Sequence, residues 1–457
     1  MSSAVPAVGS CAITLSVASS VASALNSPTG DGSDARSPAM LTRNQRLIVL
    51  LVAFIGLLCA GNQLGLNPIF SIPAAESFFG TRYTDGIGGQ WTSYFTAATM
   101  FGAAIGGIVF GSLGDRFGRS RMLGVCIIVC ASIGAIGALA QTPVQLMLTR
   151  FLVGLGVGGV WPNGVALVAE CWSGISRATA SAIMGTAINV GIFIISQLCG
   201  HFQVTSQSWR WILAWCGLPT VAGLYALLLL PESIVWTQSK RNAQVSIPSE
   251  STPNEVRIPS PKLFGPALIR TTIIGILLGG IPLIGAWAAG KWIVPWAAKV
   301  AGKANTGYKA TVQGYWSFGA IVGSFLGSYM AVALGRKRAY FLISVLSLAV
   351  TGSIFLWLTP FHPLFLKMVF VQGLVSTLYF GWLPLCLPEM FPLPVRAAGA
   401  GIAYNTGRFA AAAGILFGGV LLGWSNGDYA RVGLLFSLIY VAGMIVIFFA
   451  PDRSTMS

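Results

Sequence analysis

The chain has 457 residues, of which 55% are hydrophobic and 9% are charged, and its formal net charge is +15. Soluble globular domains usually carry about 25% charged residues, so the composition excludes that class and favours a polytopic membrane protein. The Lys and Arg residues lie mostly between apolar runs rather than in one basic block, which indicates the positive-inside bias of membrane loops rather than nucleic-acid binding.

The first 45 residues predict a disordered tail. Residues 1–45 are rich in Ser, Ala, Gly and Pro, and no Lys or Arg occurs before Arg36. A secretory signal peptide needs a basic segment before its apolar run, so the apolar stretch 11–25 does not fit one. Low hydrophobicity of the whole segment favours disorder instead, and a start site placed too far upstream is the alternative.

Twelve apolar runs follow, each long enough for a helix that crosses a hydrocarbon core of about 30 Å. We call them spans 1 to 12, and they lie near 47–73, 93–113, 121–140, 144–168, 178–200, 210–230, 268–296, 311–333, 339–359, 363–386, 398–422 and 431–450. A polar stretch rich in Pro and Ser predicts a linker over 234–266, between halves at 46–233 and 267–453. The predicted fold class is an all-α polytopic membrane protein with twelve transmembrane helices in two pseudo-symmetric six-helix halves.

The two halves repeat each other at a nearly constant offset. Glu170 and Arg177 follow span 4, and Glu389 and Arg396 follow span 10, each 219 residues later. The stretch "FGRSRM" (117–122) likewise corresponds to "LGRKRA" (334–339) at an offset of 217. Repeats in the same membrane orientation are typical of transporters that bind their solute near the midplane, between the halves.

Several stretches carry a family resemblance. "GSLGDRFGRSRM" (111–122) resembles the loop between helices 2 and 3 of the major facilitator superfamily, and "RFLVGLGVGG" (150–159) resembles its helix-4 motif. "PES" (231–233) and "PEMFPLPVRAAGAGIAYNTGR" (388–408) resemble runs in its sugar-porter and organic-acid-porter branches. The resemblance implies a secondary or facilitative transporter that works by alternating access. The sequence lacks the convergent set of acid, base and nucleophile that a membrane enzyme would need, so we expect no enzymatic activity, no cofactor and no metal.

Charges at the ends of spans predict a cytoplasmic gate. The family resemblance implies that these charges brace the cytoplasmic side when it is closed. The predicted gate residues are Asp115, Arg116, Arg119, Glu170, Arg177, Arg336, Glu389 and Arg396. The alternative is that the basic loops only set topology, since surface ion pairs contribute about 0–1 kcal/mol each.

Arg408 is the central candidate for solute binding. It lies about 18 Å along a helix from Arg396, near the middle of a core of about 30 Å. An ionisable residue at that depth indicates function or a partner, and no Asp or Glu falls in the middle of a span. Because arginine binds carboxylates in a bidentate manner, an anion is the expected partner. The predicted substrate-binding residues are Arg408, Asn405, Tyr404, Asn189, Asn62, Gln63, Arg150, Trp287, Tyr379 and Trp382.

Alternative roles accompany some of these residues. Arg150 is as well explained by bracing between helices as by solute contact. Lys291 and Lys367 are expected to extend to the outer membrane interface, because long basic side chains snorkel towards water. A proton and a sodium ion both remain open as coupling ions. The Asp that proton-coupled organic-acid members carry in helix 1 is replaced here by neutral residues in "CAGNQLGLNP" (59–68).

The sequence thus predicts a carrier of a small organic anion, either a carboxylate or an acidic sugar. A neutral sugar or polyol carrier in which Arg408 is structural is the alternative, and a nutrient sensor that does not transport is a second one. Both termini and the loops after even-numbered spans lie on one side of the membrane, and together they carry seventeen Lys and Arg residues. The loops on the other side carry six. Because basic loops stay inside, we expect both termini to be cytoplasmic, in the plasma (inner) membrane. The expected partners are the solute and the lipid bilayer, with no nucleic acid, and a monomer is expected to function.

Overall fold

A computed structural model describes residues 41–172, 177–234, 236–238, 240, 263–302, 304–392, 395–425 and 427–451. Within these ranges, twelve helices are long and apolar enough to cross a membrane, so the predicted fold class is confirmed. Most of the predicted tail over 1–45 and of the linker over 234–266 lies outside the described residues. The side chains of Arg177 and Arg396 lie outside them as well.

The helix bounds follow the predicted spans closely. Spans 1 to 6 are Arg43–Arg82, Asp85–Phe117, Arg119–Leu139, Pro143–Cys171, Arg177–His201 and Trp209–Leu229. Spans 7 to 12 are Ile269–Ala301, Tyr308–Leu334, Arg336–Trp357, Phe365–Cys386, Arg396–Trp424 and Tyr429–Phe449. Large apolar side chains such as Val221, Leu228 and Trp357 are exposed, which fits a surface in contact with lipid.

Spans 1 and 2 are longer than predicted at the ends they share. The first helix continues to Phe79 and the second begins at Asp85, so the connection between them is short. The Thr84 hydroxyl accepts a hydrogen bond from the Ile87 amide at 3.3 Å and thereby caps the second helix. Hydropathy marks only the apolar part of a helix, which explains why the polar extension was missed.

Span 7 is the most irregular of the described spans. An α-helix over Ile269–Ile284 gives way to a π turn over Gly285–Ala289 and a 3-10 turn over Gly290–Trp292 before Ile293–Ala301. Pro295 has no N–H group to donate to the Lys291 carbonyl four residues earlier. The regular hydrogen-bond pattern of an α-helix is therefore interrupted at this point. Single π turns within helices frequently occur at functional sites.

Backbone packing repeats between the halves as the sequence does. A Cβ atom added to Gly106 in span 2 would lie 2.0 Å from the Leu155 carbonyl oxygen in span 4. A Cβ atom on Gly323 in span 8 would lie 1.9 Å from the Leu374 oxygen in span 10. The two pairs are related by the offsets of 217 and 219 found in the sequence. Glycine therefore lets the two helices of each pair approach backbone to backbone.

The halves meet along two seams, spans 2 with 11 and spans 5 with 8. Contacts between loops define two sides of the molecule. Arg119, the first residue of span 3, pairs with Glu170 in the last turn of span 4, on what we call the loop 2–3 side. Arg210, in the first turn of span 6, donates to the Ala140 carbonyl before span 4 at 2.9 Å, on what we call the loop 1–2 side.

Candidate functional site

A cavity of about 70 Å³ lies between the halves, and both contribute to its wall. Most of the wall is apolar or aromatic, and its larger side chains include Met100, Val157, Trp161, Ile188, Trp287, Trp316 and Phe380. The polar side chains among its lining residues are Asn189, Tyr404 and Arg408. The structure thus brings four of the predicted residues together, namely Asn189, Trp287, Tyr404 and Arg408.

Arg408 is held in the cavity wall by span 2. Its side chain is 8% exposed, and Nη1 donates to the Ala103 carbonyl at 2.9 Å and to Asn405 Oδ1 at 3.4 Å. Tyr404, one turn earlier, lies 4.9 Å from the guanidinium carbon, measured to the ring centre. Among the described residues, no carboxylate forms an ion pair with Arg408. Its positive charge is therefore buried without a countercharge among the described residues.

Asn405 contributes from behind the wall. A Cβ atom on Gly107 would lie 2.3 Å from Asn405 Oδ1, so the amide packs against span 2. It is not among the cavity-lining residues, and its contact with Arg408 is a supporting one.

Asn189 holds the opposite seam. Its amide nitrogen donates to Ser324 Oγ at 3.2 Å and to the Ala320 carbonyl at 3.4 Å, both in span 8. The amide therefore connects span 5 of the first half with span 8 of the second, while it also lines the cavity.

Gln63 and Arg150 lie outside the cavity wall, contrary to the predicted grouping. Arg150 is fully buried, and Nη1 donates to Gln63 Oε1 at 2.9 Å while Nη2 donates to the Gly134 carbonyl at 3.4 Å. Gln63 Nε2 in turn donates to the Cys130 carbonyl at 3.1 Å. These bonds join spans 1, 3 and 4 within the first half. Geometry thus favours the bracing alternative for Arg150.

Tyr379 and Trp382 also lie away from the cavity. Both pack against Tyr340 of span 9, with ring centres 4.9 and 4.8 Å from that ring. Trp382 Nε1 donates to the Arg336 carbonyl at 2.8 Å, towards the loop 2–3 side. The face of span 10 that lines the cavity carries Phe380 instead, because successive helix positions point in different directions.

Asn62 is half-buried and is not among the cavity-lining residues either. Span 1 contributes Leu64 to the wall in its place. The Oδ1 atom of Asn62 is buried and has no hydrogen-bond partner among the described residues.

The expectation that Lys291 extends to the membrane interface is wrong. Its side chain is 7% exposed, and Nζ lies 3.9 Å from the Trp316 ring centre and 5.2 Å from that of Trp287. Lys291 lines a crevice of about 20 Å³ together with Pro68 and Thr96. The irregular turns of span 7 decide where the Lys291 side chain points, so its position could not be predicted from the sequence.

The cavity, the crevice and a vestibule lie in line along span 1. Leu64 lines the cavity, Pro68 the crevice, and Ile72 a vestibule of about 710 Å³ on the loop 1–2 side. Each step is one helical turn, about 5.4 Å. On the other side, a space of about 290 Å³ shares Trp161, Phe380 and Tyr404 with the cavity. Spaces therefore extend from the cavity towards both sides.

The charges on the loop 2–3 side form a cluster in the first half. Arg119 pairs with Asp115 at 2.9 Å and with Glu170 at 2.8 Å. Glu232, which the predicted gate did not include, accepts hydrogen bonds from the Arg119 amide at 2.9 Å and from the Ser120 hydroxyl at 2.7 Å. The "PES" motif after span 6 was the signal that could have identified Glu232.

Two further residues, Gly118 and Arg116, lie next to this cluster. Gly118 has φ +111°, and a Cβ atom there would lie 2.3 Å from Glu232 Oε2, so only glycine fits. Arg116 is exposed, and its guanidinium lies 5.3 Å from the Phe117 ring centre.

In the second half, Arg336 pairs with Glu389. Val332, which is exposed, occupies the position that corresponds to Asp115 in the repeat.

Contacts between the halves are found on the loop 1–2 side. Lys309 Nζ donates to the Val204 carbonyl at 3.1 Å, and Thr306 Oγ1 donates to Gln203 Oε1 at 2.7 Å. Lys299 Nζ lies 4.0 Å from Asp85 Oδ2. On the loop 2–3 side, the described side-chain partners of Asp115, Arg119 and Glu170 lie within the first half, and the Asp115 carbonyl accepts from Trp236 Nε1, in the linker, at 2.8 Å. The side chains of these three gate residues thus make no described contact with the second half, whereas Thr179 Oγ1 and Tyr329 Oη lie 3.4 Å apart between the halves on this side.

Comparison with known proteins agrees with this architecture. The sequence matches the Major Facilitator Superfamily over residues 49–310, more than half of the chain. The cis,cis-muconate transport protein of Acinetobacter baylyi is 26% identical over 366 residues, which cover 80% of this chain and 85% of that protein. The benzoate transport protein of the same species is 24% identical over 389 residues, which cover 79% and 81%.

A solved structure of a D-xylose-proton symporter has the same fold. It aligns with a TM-score of 0.64 at 18% identity and covers 89% of this chain and 98% of the symporter. Twelve spans, two repeated halves and a cavity between them accompany the sequence match. The chain therefore belongs to the Major Facilitator Superfamily, and it is a multi-pass membrane transporter of small solutes rather than an enzyme.

Proposed function

We propose that this transporter carries a small organic anion with an unsaturated or aromatic body, and that Arg408 binds its acid group. The observation that carries the proposal is the buried guanidinium of Arg408, which lines the cavity and has no described carboxylate partner. An arginine in hydrocarbon is costly unless an anion or another acceptor compensates it. A carboxylate on the solute supplies that compensation.

The cavity wall supports an apolar body for the solute. Trp161, Trp287, Trp316 and Phe380 present ring surface, and apart from Tyr404 and Arg408 the remaining large side chains are aliphatic or Met. Planar unsaturated groups pack well against such rings. Two relatives are named for muconate and benzoate, which are carboxylates on a conjugated chain and on an aromatic ring. The charge of Arg408 and the apolar wall of the cavity thus both suit the kind of solute for which these relatives are named.

The same wall argues against a neutral sugar. A sugar needs hydrogen-bond partners for several hydroxyl groups, because each unpaired polar group in a dry site is costly. The polar side chains in the wall are Asn189, Tyr404 and Arg408. The likeness to a xylose symporter, at 18% identity, concerns the fold.

Alternating access is supported by the two seams and by the spaces on each side. The predicted gate, consisting of Asp115, Arg116, Arg119, Glu170, Arg177, Arg336, Glu389 and Arg396, is proposed to tie the halves on the loop 2–3 side when that side closes. The excess of Lys and Arg makes this side cytoplasmic in the plasma membrane, with both termini on it. Because one chain supplies both halves of the cavity, a monomer suffices.

The test is uptake into proteoliposomes of labelled benzoate, a labelled acidic sugar and labelled xylose, with and without imposed proton and sodium gradients. Wild type, Arg408→Gln and Arg408→Lys are compared. We expect benzoate uptake in wild type, its loss in Arg408→Gln, and partial retention in Arg408→Lys, which keeps the charge but not the planar fork.

Arg431→Gln is the matched control, because Arg431 is an exposed arginine that pairs with Asp428 on the loop 1–2 side. It should transport benzoate as wild type does. Benzoate uptake that survives Arg408→Gln, or xylose uptake without anion uptake, would contradict the proposal. Dependence on one of the two gradients would identify the coupling ion.

A further inference from the structure

We propose that Lys291 is a second anion ligand, so that the site accepts solutes with two acid groups, one on Arg408 and one on Lys291. This inference rests on the proposed function, since it takes Arg408 as the ligand of a first carboxylate. It adds a specificity-determining residue, and it names dicarboxylates as the class of solute.

Lys291 is buried without an acceptor for its N–H groups. Its side chain is 7% exposed, and Nζ has no hydrogen-bond partner among the described residues. An ammonium carries three donors and no acceptor. The rings of Trp316 and Trp287 stabilise its charge but accept no strong hydrogen bond. Its donors therefore remain available to oxygen atoms of a ligand.

The two rings connect Lys291 to the cavity that contains Arg408. Trp287 and Trp316 both line this cavity, and Trp287 lines the Lys291 crevice as well. Trp316 is fixed by Nε1, which donates to Gln372 Oε1 at 2.5 Å, while Gln372 Nε2 donates to Thr351 Oγ1 at 3.4 Å. The surface under the ammonium is thus held in place by spans 9 and 10.

Other buried basic residues of the described structure have the partners that Lys291 lacks. Lys309 is also 7% exposed, but its Nζ donates to the Val204 carbonyl at 3.1 Å. Arg150 donates to Gln63 and Gly134. These buried cations thus have hydrogen-bond acceptors, whereas the Lys291 ammonium has none among the described residues. This difference points to a ligand for Lys291.

The offset between the cavity and the crevice suits a dianion. The crevice lies one helical turn from the cavity along span 1, as the step from Leu64 to Pro68 shows. One turn is about 5.4 Å along the helix. A ring or a short chain between two carboxylates spans such an offset, and its apolar body would lie against the tryptophans. No described carboxylate forms an ion pair with either cation.

The test compares solutes that differ by one carboxylate, namely benzoate with terephthalate and hexanoate with adipate. Purified full-length protein is reconstituted, and affinity and uptake are measured at pH 7.5 for wild type, Lys291→Gln, Lys291→Arg and Lys309→Gln. We expect wild type to take up both dicarboxylates. In Lys291→Gln, affinity for dicarboxylates should fall about tenfold or more, while affinity for monocarboxylates should stay within about twofold.

The other variants make the result specific. Lys291→Arg keeps the charge and should retain dicarboxylate affinity, and Lys309→Gln should leave the ratio between the two solute classes unchanged. A melting temperature close to that of wild type shows that Lys291→Gln is folded. If Lys291→Gln affects both classes equally, or neither, or if wild type takes up no dicarboxylate, the inference is overturned. Benzoate uptake that depends on Arg408 would still support the proposed function in each of these cases.

Discussion

Arg408 and Asn189 are related by the internal repeat, and each donates a hydrogen bond across the interface between the halves. Arg408 donates to the Ala103 carbonyl, and Asn189 donates to the Ala320 carbonyl. The donors are 219 residues apart and the acceptors 217, the offsets of the sequence repeat. The two halves thus make corresponding hydrogen bonds to each other, but of the two donors only Arg408 brings a charge to the cavity.

This asymmetry predicts the effect of a negative charge at Asn189. Asn189→Asp should lower affinity for benzoate about tenfold or more, because a carboxylate in the wall repels the anion and competes for Arg408. Asn189→Ala loses the seam hydrogen bonds but adds no charge, so its affinity should fall less than about threefold. Direct binding to purified protein measures both. Equal affinities in the two variants would show that the anion does not lie near Asn189.

Arg150 and Gln63 are predicted to act on stability rather than on solute selection. Removal of either partner leaves a buried polar group unpaired, so Arg150→Met and Gln63→Leu should each destabilise the protein. The double variant should be more stable than the sum of the two losses suggests, with a coupling of about 1–3 kcal/mol. Denaturant unfolding in detergent measures this cycle. Additive losses would contradict a direct brace, and a large change in benzoate affinity would contradict its separation from the solute.

Glu232 is predicted to stabilise the start of span 3. Its carboxylate accepts from the amides of Arg119 and Ser120, which are in the first turn of that helix. Glu232→Ala should cost about 1–2 kcal/mol of the free energy of unfolding, as the loss of a helix cap does. Glu232→Gln retains one acceptor oxygen and should cost less. The same unfolding experiment ranks the two variants, and the reverse order would rule out the capping role.

Close packing of spans 8 and 10 predicts intolerance of a methyl group at Gly323. Because its Cβ would lie 1.9 Å from a backbone oxygen, Gly323→Ala must push the two helices apart and should cost about 1–3 kcal/mol. Gly352→Ala in span 9 is the control, since no atom lies within 4 Å of its Cβ, and it should stay within about 0.5 kcal/mol of wild type. Size-exclusion chromatography after a heating series compares them. Similar midpoints for both variants would contradict the packing.

Much of this architecture could be predicted because it depends on features that are local in the sequence. Apolar runs of sufficient length predicted the twelve spans, and constant offsets predicted the repeat that Gly106 and Gly323 show in three dimensions. The depth of Arg408 followed from its distance along one helix. That no described carboxylate pairs with it agrees with the absence of Asp and Glu in the middle of the spans.

The tertiary structure alone decided which of the buried cations faces the cavity. Arg150, Lys291 and Arg408 all lie in apolar spans, yet one braces three helices, one lies between two tryptophans, and one lines the cavity. Tyr379 and Phe380 are neighbours in span 10, but only Phe380 reaches the wall. Depth is fixed by position along a helix, whereas direction depends on the rotation of that helix against partners far away in the sequence. For span 7, direction also depends on a π turn that no hydropathy pattern reveals.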